Sequence, residues 1–129
     1  MDGGRLLILA ASCLASTLCS TAYAETQGQY LQMAEIEIDP AQADSYKAAV
    51  KEQIETAIRV EPGVLALYAV YEKDNLSLVR VFEIYADADA YKAHLETPHF
   101  RQYKATTQQM VRSLKLIQTV PIALGAKVK

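Results

Sequence analysis

The sequence predicts an α+β domain with the ferredoxin-like plan, a split βαβ sandwich. Apolar residues recur at every second position in some segments and every three to four positions in others, which is typical of half-buried strands and amphipathic helices. These segments come in the order strand, helix, strand, strand, one or two short helices, strand. A split βαβ sandwich has that order of elements.

The first 24 residues are predicted to be a signal peptide ahead of this domain. Arg5 gives a positive flank, residues 6–18 are uncharged and apolar, and residues 22–24, Ala-Tyr-Ala, place small side chains at the two positions that a signal peptidase reads. The apolar stretch is shorter than the roughly 20 residues that cross a bilayer. We therefore expect cleavage before Glu25, a periplasmic or secreted protein, and no membrane association of residues 25–129 after cleavage.

Both cysteines of the chain, Cys13 and Cys19, fall inside this segment. The domain formed by residues 25–129 is therefore expected to carry neither a reactive thiol nor a disulfide. Lipid anchoring at Cys13 stays open as an alternative, because residues 11–13, Ala-Ser-Cys, loosely resemble the end of a lipoprotein signal.

The size and charge of residues 25–129 limit the possible functions. Their number suffices for one domain with a modest core. Cleavage would remove one acid and one base, Asp2 and Arg5, so the formal net charge stays at −2. Nucleic-acid binding needs a basic face, and this balance argues against it.

A strand followed by a long helix opens the domain. Residues 30–38 are apolar and β-tolerant; Asp39 and Pro40 then supply a helix cap and a first-turn proline, with Gln42 placed as a capping-box partner. The helix is expected to run to about Arg59, with charged side chains opposite its apolar positions. These apolar positions are Ala43, Tyr46, Val50, Ile54, Ala57 and Ile58.

A β-hairpin is predicted after the break at residues 61–63, Glu-Pro-Gly. Residues 64–72 and 76–85 have the composition of strands, and the polar turn 73–75 joins them. The strand at 64–72 is nearly continuous in apolar residues, so both of its faces need a cover.

Two short helices and a last strand complete the order. Asp87 opens a helix through Leu95, and Thr97-Pro98 supplies the cap and first turn of a further helix that ends at about Val111. Residues 113–122 are predicted to form the last strand, followed by a tail from Gly125.

The two apolar faces of the strand at 64–71 predict a homodimer. Helices on one side of a four-stranded sheet leave its other face open, and a second copy of the same sheet is the simplest cover. The two alternating sets are Val64, Ala66, Tyr68 and Val70 on one face and Leu65, Leu67, Ala69 and Tyr71 on the other.

An ordered run of short motifs resembles the antibiotic biosynthesis monooxygenase family. The motifs are the Glu-Pro-Gly turn at 61–63, the strand end at 83–87 with Glu83 and Tyr85, a helix that carries Ala90 and His94, and Thr-Pro-His-Phe at 97–100. The resemblance extends over residues 30–121. It implies a ferredoxin-like protomer that pairs into a dimeric α+β barrel, with a pocket between sheet and helices.

The family resemblance also implies a chemistry. Its best-studied enzymes oxidise quinols or polycyclic aromatic phenols with O₂ and use no metal, flavin or haem. A deprotonated, electron-rich phenol passes an electron to O₂ itself, so the protein supplies a base, a dry pocket and orientation. The expected partners are a small aromatic substrate and O₂, and the expected cofactor is none.

Candidate site residues follow from these requirements. His94 and His99, the two histidines of the chain, are candidates for the base because the ordinary pKa of an imidazole lies near neutrality. Glu83 is the third catalytic candidate, as a partner for a histidine. Tyr85, Tyr91 and Phe100 are the candidates for substrate binding, since tyrosine rings stack and also hydrogen-bond.

Structural roles and other functions stay open beside these candidates. Either histidine could bond to backbone groups at a helix end, Glu83 could pair with Arg80, Arg101 or Lys104, and the aromatic residues could belong to the core. A metal set of His94, His99 and Glu83 is disfavoured because Pro98 interrupts the helix between the histidines, and haem because the chain has no tryptophan. The alternative functions are a non-catalytic dimeric binding or stress-response module and an isomerase of a small carbonyl compound.

Overall fold

The structure, a computed structural model, describes residues 28–127 as a four-stranded antiparallel sheet with three helices on one face. The predicted signal peptide lies outside the described residues. No helix within residues 28–127 combines the length and the apolar character needed to cross a membrane. The elements are β1 (Tyr30–Ile38), α1 (Ala43–Val60), β2 (Val64–Glu72), β3 (Asn75–Tyr85), α2 (Ala88–Glu96), α3 (Pro98–Thr107) and β4 (Val111–Thr119).

The strands lie in the order β2-β3-β1-β4, and every neighbouring pair is antiparallel. The connection through α1 therefore carries the chain from β1 past β3 to the edge strand β2. This topology confirms the predicted α+β ferredoxin-like fold. It places β1 and β3, whose centres pack against the helices, in the middle of the sheet.

The start of α1 differs from the predicted capping box. Asp39 does cap, since its Oδ1 accepts from the Ala41 amide at 3.0 Å, but Pro40–Gln42 forms a turn of 3₁₀ helix before α1. The amide of Asp39, which the Gln42 side chain was expected to bond, instead donates to the carbonyl of Met110 at 2.8 Å. A hydrogen bond to Met110, the residue before β4, thus replaces the predicted bond to the Gln42 side chain.

The buried face of α1 is close to the predicted stripe, with two exceptions. Tyr46 and Ala57 are fully buried, as expected. Ile58 is 49% exposed, so its assignment to the core is wrong. Gln53, a polar residue outside the predicted stripe, is buried instead. Its side chain has a buried partner, described below.

Both short helices begin at the predicted caps. Asp87 Oδ1 accepts from the Ala90 amide at 2.7 Å, and Thr97 Oγ1 accepts from the Phe100 amide at 3.3 Å. The end of α3 comes earlier than predicted, at Thr107, and β4 begins at Val111. Val111 pairs with Ile38 across a register shift in the sheet, so strand pairing takes over residues that helical periodicity had assigned to α3.

A bulge at the start of β2 changes the predicted faces of this strand. The register shifts between Val64 and Ala66, so Val64 pairs with Tyr85 and lies on the same buried side as Leu67. The prediction that Val64 shares a face with Ala66 and that Leu65 shares one with Leu67 is therefore wrong, because one extra residue reverses the alternation. From Ala66 onward the alternation holds.

The outer face of the sheet carries exposed apolar side chains. Tyr68 is 60% exposed and pairs with Phe82, which is 48% exposed. Val70 is also half-exposed on this side. The described protomer thus leaves uncovered the face for which the sequence predicted a second copy.

Close packing at Gly63 joins the start of β2 to α2. A Cβ atom at this position would lie 2.6 Å from the Cβ of Ala90. The carbonyl of Gly63 also accepts from the Ala86 amide at 2.9 Å, which fixes the chain just before α2. A glycine at 63 and a small residue at 90 therefore set how closely α2 approaches the sheet.

Replacement of Gly63 by alanine is expected to lower the free energy of unfolding by about 1–3 kcal/mol, because the added methyl group overlaps Ala90. Urea denaturation measures this difference. Gly125→Ala is the control, since a Cβ there meets nothing within 4 Å. Equal stability of the two variants would show that α2 moves away without cost and that the close contact has no structural importance.

Candidate active site

A cavity of about 270 Å³ lies between the sheet and the three helices. Its walls are mainly aliphatic and aromatic, with Ile36 and Val81 from the sheet and Leu95 and Phe100 from the helices. A smaller group of side chains brings polar atoms to this apolar wall. These are Gln32, Gln53, Glu83, Tyr91, His94, Tyr103, Lys104 and Thr107. A few convergent polar groups in an apolar cavity are typical of small-molecule sites.

His94 is 1% exposed, and both of its ring nitrogens have partners. Nε2 lies 3.0 Å from Nε2 of Gln53, and Nδ1 lies 2.8 Å from Oε2 of Glu61. An amide nitrogen only donates, so Nε2 of the neutral imidazole accepts from Gln53, and the Nδ1 proton is donated to Glu61. This arrangement turns the unprotonated nitrogen towards Gln53, a residue of the cavity wall.

Glu61 also binds the second histidine. Nε2 of His99 lies 2.6 Å from the same Oε2 atom, so a single carboxylate oxygen accepts from both imidazoles. His99 does not line the cavity; it lies in a surface groove between α1 and α3 that also includes Gln53 and Gln102. Of the two predicted bases, His94 is thus the one at the cavity.

The sequence prediction did not assign Glu61 a role in the site. Its place in the Glu-Pro-Gly motif was the available signal, but the motif was interpreted as a helix break and a mark of the family, without a role for the carboxylate. Glu61 follows the last residue of α1, and its amide donates to the Ala57 carbonyl at 2.9 Å. The end of α1 therefore brings its carboxylate to the histidines of α2 and α3.

Glu83 has different partners from those predicted. Its Oε2 accepts from Gln32 Nε2 at 2.9 Å and its Oε1 from the Tyr85 hydroxyl at 2.7 Å. Within residues 28–127 it bonds to neither histidine, and Glu61 occupies the position of histidine partner that the sequence gave to Glu83. Glu83 does line the cavity, as a carboxylate on its sheet wall.

None of the three bases considered for Glu83 pairs with it in the described part of the chain, and both arginines pair with other acids. Arg80 lies 3.8 Å from Glu35 and 3.6 Å from Glu72, and Arg101 pairs with Glu96. Arg80 does not pair with Glu83 because side chains alternate along a strand, and residues 80 and 83 of β3 therefore point to opposite faces of the sheet. Lys104 shares the cavity wall with Glu83 but makes no ion pair within 4 Å in the described part of the chain.

The aromatic candidates divide into two groups. Tyr91 and Phe100 line the cavity, and the Phe100 ring centre is 4.8 Å from that of His94. Tyr85 is fully buried and packs against Tyr91 and His94 at 5.2 and 5.4 Å between ring centres, without lining the cavity. Burial, followed by the nearby Glu83 carboxylate, raises the pKa of Tyr85, so its hydroxyl stays protonated and donates to Glu83.

Three side chains of the described region come together as possible metal ligands: Glu61, His94 and His99. Their ligand atoms all lie within 4.8 Å of one another. The set considered from the sequence contained Glu83 in place of Glu61. The intervening Pro98 does not prevent the two histidines from meeting, because α2 and α3 are separate helices that converge on Glu61.

Comparison with known families supports the fold. Residues 29–106 match the family model described as antibiotic biosynthesis monooxygenase. The chain belongs to this family. Among proteins with curated descriptions, none matches the chain.

Solved structures of similar proteins agree with this family membership. A candidate antibiotic biosynthesis monooxygenase from Bacteroides thetaiotaomicron is 46% identical, with a TM-score of 0.77 over 81% of this chain and 99% of that one. A candidate monooxygenase from Lactobacillus acidophilus is 28% identical, with a TM-score of 0.69 over 70% of this chain and 43% of that one. A Caulobacter crescentus family protein, 22% identical over 78% of this chain and 96% of that one with a TM-score of 0.70, shares the fold.

The structure gives the family motifs of this chain a physical reason. Gly63 lets α2 approach closely at Ala90, and His94 follows one helical turn later on the same face. Thr97 caps α3 and also donates its hydroxyl to the His94 carbonyl at 2.7 Å. The separate motifs therefore form one connected unit around Glu61.

Replacement of Tyr85 by phenylalanine is expected to destabilise the protein by about 1.5–3 kcal/mol at neutral pH, because Glu83 loses a hydrogen bond. The pKa of Tyr85 is raised in the folded state, so the extra stability of the wild type over the variant is fully present below the unfolded tyrosine pKa of about 10. Above that pH, this stability difference should shrink by up to about 1.4 kcal/mol per pH unit. Urea denaturation from pH 7.5 to 11 measures the difference, and a constant difference would contradict the account.

Proposed function

We propose that the protein is an exported, dimeric monooxygenase that oxidises a quinol or another hydroxylated aromatic compound with O₂, without a metal, flavin or haem. One observation carries the chemical part of this proposal. His94 lines an apolar, partly aromatic cavity; its acceptor nitrogen faces Gln53 of the cavity wall, and a carboxylate holds its other nitrogen. A base of this kind is what the reaction of a phenol with O₂ requires.

His94 acts as the base in this proposal. The phenolic hydroxyl of the substrate replaces the Gln53 amide at Nε2 and transfers its proton to the imidazole. The positive charge that results lies beside the Glu61 carboxylate, which stabilises it and holds the ring in the correct orientation. The phenolate is then electron-rich enough to pass an electron to O₂.

The cavity wall supports a small aromatic substrate. Tyr91 and Phe100 offer ring faces and edges for stacking, and Glu83 with Gln32 offers polar atoms on the sheet side. A volume of about 270 Å³ falls just below the roughly 300–1,000 Å³ that is common for drug-sized ligands. We therefore propose a substrate of one or two rings.

Oxygen uptake with a panel of one- and two-ring quinols tests the proposed chemistry, with enzyme and quinol mixed anaerobically before O₂ is admitted. His94→Gln is expected to lower kcat at least about 100-fold, because glutamine keeps polar atoms but is no base. His99→Gln is the matched control and is expected to lose less than about tenfold, since His99 lies outside the cavity. Absence of oxygen uptake by the wild-type protein with every quinol would refute this function.

A non-catalytic binding module is the second candidate, and one observation favours it. Both nitrogens of His94 already have hydrogen-bond partners within the protomer, as expected for a histidine with a structural role. Under this function an aromatic ligand would bind tightly without turnover, and His94→Gln would bind it about as well as the wild type.

The exposed apolar face of the sheet supports the dimeric part of the proposal. Tyr68 and Phe82 form a paired aromatic surface there, and an apolar patch of this kind is typical of an interface. Val120 and Ile122, in the segment after β4, are almost fully exposed and are further candidates for contact with a second copy. Export rests on the composition of residues 1–24 alone.

Native mass spectrometry of the protein recovered from the periplasm of a bacterium that expresses the full chain tests export and dimerisation together. The expected mass is twice that of residues 25–129. Phe82→Glu is expected to give monomers, because it places a charge on the outer sheet face. Ile58→Glu is the matched control on α1, with nearly the same exposure. A monomeric wild type would contradict dimerisation, and retention of residues 1–24 would contradict export with signal cleavage.

A further inference from the structure

The environment of Glu61 shows a feature that the proposed oxidation does not use. Its Oε2 atom meets Nδ1 of His94 at 2.8 Å and Nε2 of His99 at 2.6 Å. The three side chains come from the end of α1, from α2 and from the first turn of α3. We propose that Glu61, His94 and His99 form a binding site for a divalent transition-metal ion of the zinc class.

The donor atoms suit such an ion. Two imidazole nitrogens and one carboxylate oxygen are a common set of three protein ligands for Zn²⁺, with a water molecule in the fourth position. A tetrahedral ion with ligands at about 2.0–2.1 Å holds its ligand atoms about 3.3 Å apart. The N–O separations of 2.6 and 2.8 Å need a small expansion, in which the ion replaces the protons between these atoms. All three ligand atoms lie within 4.8 Å of one another, so rotation of the partly exposed His99 ring can bring the two imidazole nitrogens to the distance that the ion needs.

The surroundings of the ligands also suit a metal. Gln53 holds the other nitrogen of His94, and a metal-bound histidine is usually held in this way by a hydrogen bond at its second nitrogen. With an ion at Nδ1, Nε2 carries the proton and donates to the amide oxygen of Gln53 after rotation of the amide. His99 lines the groove between α1 and α3, so an ion and its water ligand reach the site from the surface.

Metal binding would regulate the base, and this part of the inference rests on the proposed function. An ion at Nδ1 leaves the proton of His94 on Nε2, the nitrogen that has to accept the proton of the substrate. The metal-bound protein is therefore inactive as a monooxygenase, and removal of the metal restores activity. The ion is thus an inhibitor and takes no part in the oxidation.

Isothermal titration of the metal-free, untagged protein with ZnCl₂ tests the site directly. The chain contains only two histidines, so a histidine-dependent site is identified without ambiguity. We expect one ion per protomer, binding at least about tenfold weaker in His99→Ala and in Glu61→Gln, and unchanged binding in Glu96→Gln, an exposed acid on α2. Co²⁺ in place of Zn²⁺ should give the visible absorption of a tetrahedral ion.

The variants allow a clear decision. His99 is partly exposed, so His99→Ala should fold, and far-ultraviolet circular dichroism checks this. Equal Zn²⁺ binding by a folded His99→Ala variant and the wild type, or no binding by the wild type, would overturn the metal site. If Zn²⁺ binds as expected but an active wild-type enzyme is not inhibited, the regulatory part is wrong. A protein without oxygen uptake refutes the proposed function and leaves the calorimetric test intact.

Discussion

The shared hydrogen bonds of the Glu61 carboxylate are the interaction on which the rest of the site depends. One oxygen accepts from His94 and from His99, and the side chain itself is largely buried. It therefore connects the end of α1 with both short helices. A buried acceptor of two imidazole protons fixes the orientation of each ring, since loss of either bond would leave a buried polar group unpaired.

The close contact between Gly63 and Ala90 makes this interaction possible. Gly63 lies two residues after Glu61, and Ala90 lies one helical turn before His94. The contact of the two small residues thus positions the carboxylate and the imidazole on either side of it. It follows that the Glu-Pro-Gly turn does more than end a helix, because it sets the spacing between the acid and the base.

Local patterns in the sequence predicted most of the fold but only part of the site. The caps at Asp87 and Thr97 and the strand composition of β1 and β3 depend on residues close in sequence, and they were found. Gln53 and Glu61 were missed as site residues, because a polar residue within or just after an amphipathic helix is assigned to solvent unless its tertiary partner is known. The choice between Glu61 and Glu83 as histidine partner likewise depends on how α1 ends against α2, which periodicity does not encode.

The tautomer of His94 shows whether Glu61 holds the Nδ1 proton and leaves Nε2 as the acceptor towards Gln53 of the cavity wall. Long-range ¹H–¹⁵N correlation spectra of ¹⁵N-histidine-labelled protein, recorded with the imidazoles neutral, distinguish the two ring nitrogens. With two histidines in the chain, Glu61→Gln and His99→Ala assign the signals. We expect a protonated Nδ1 and an unprotonated Nε2 for His94. A proton on Nε2 would contradict this assignment.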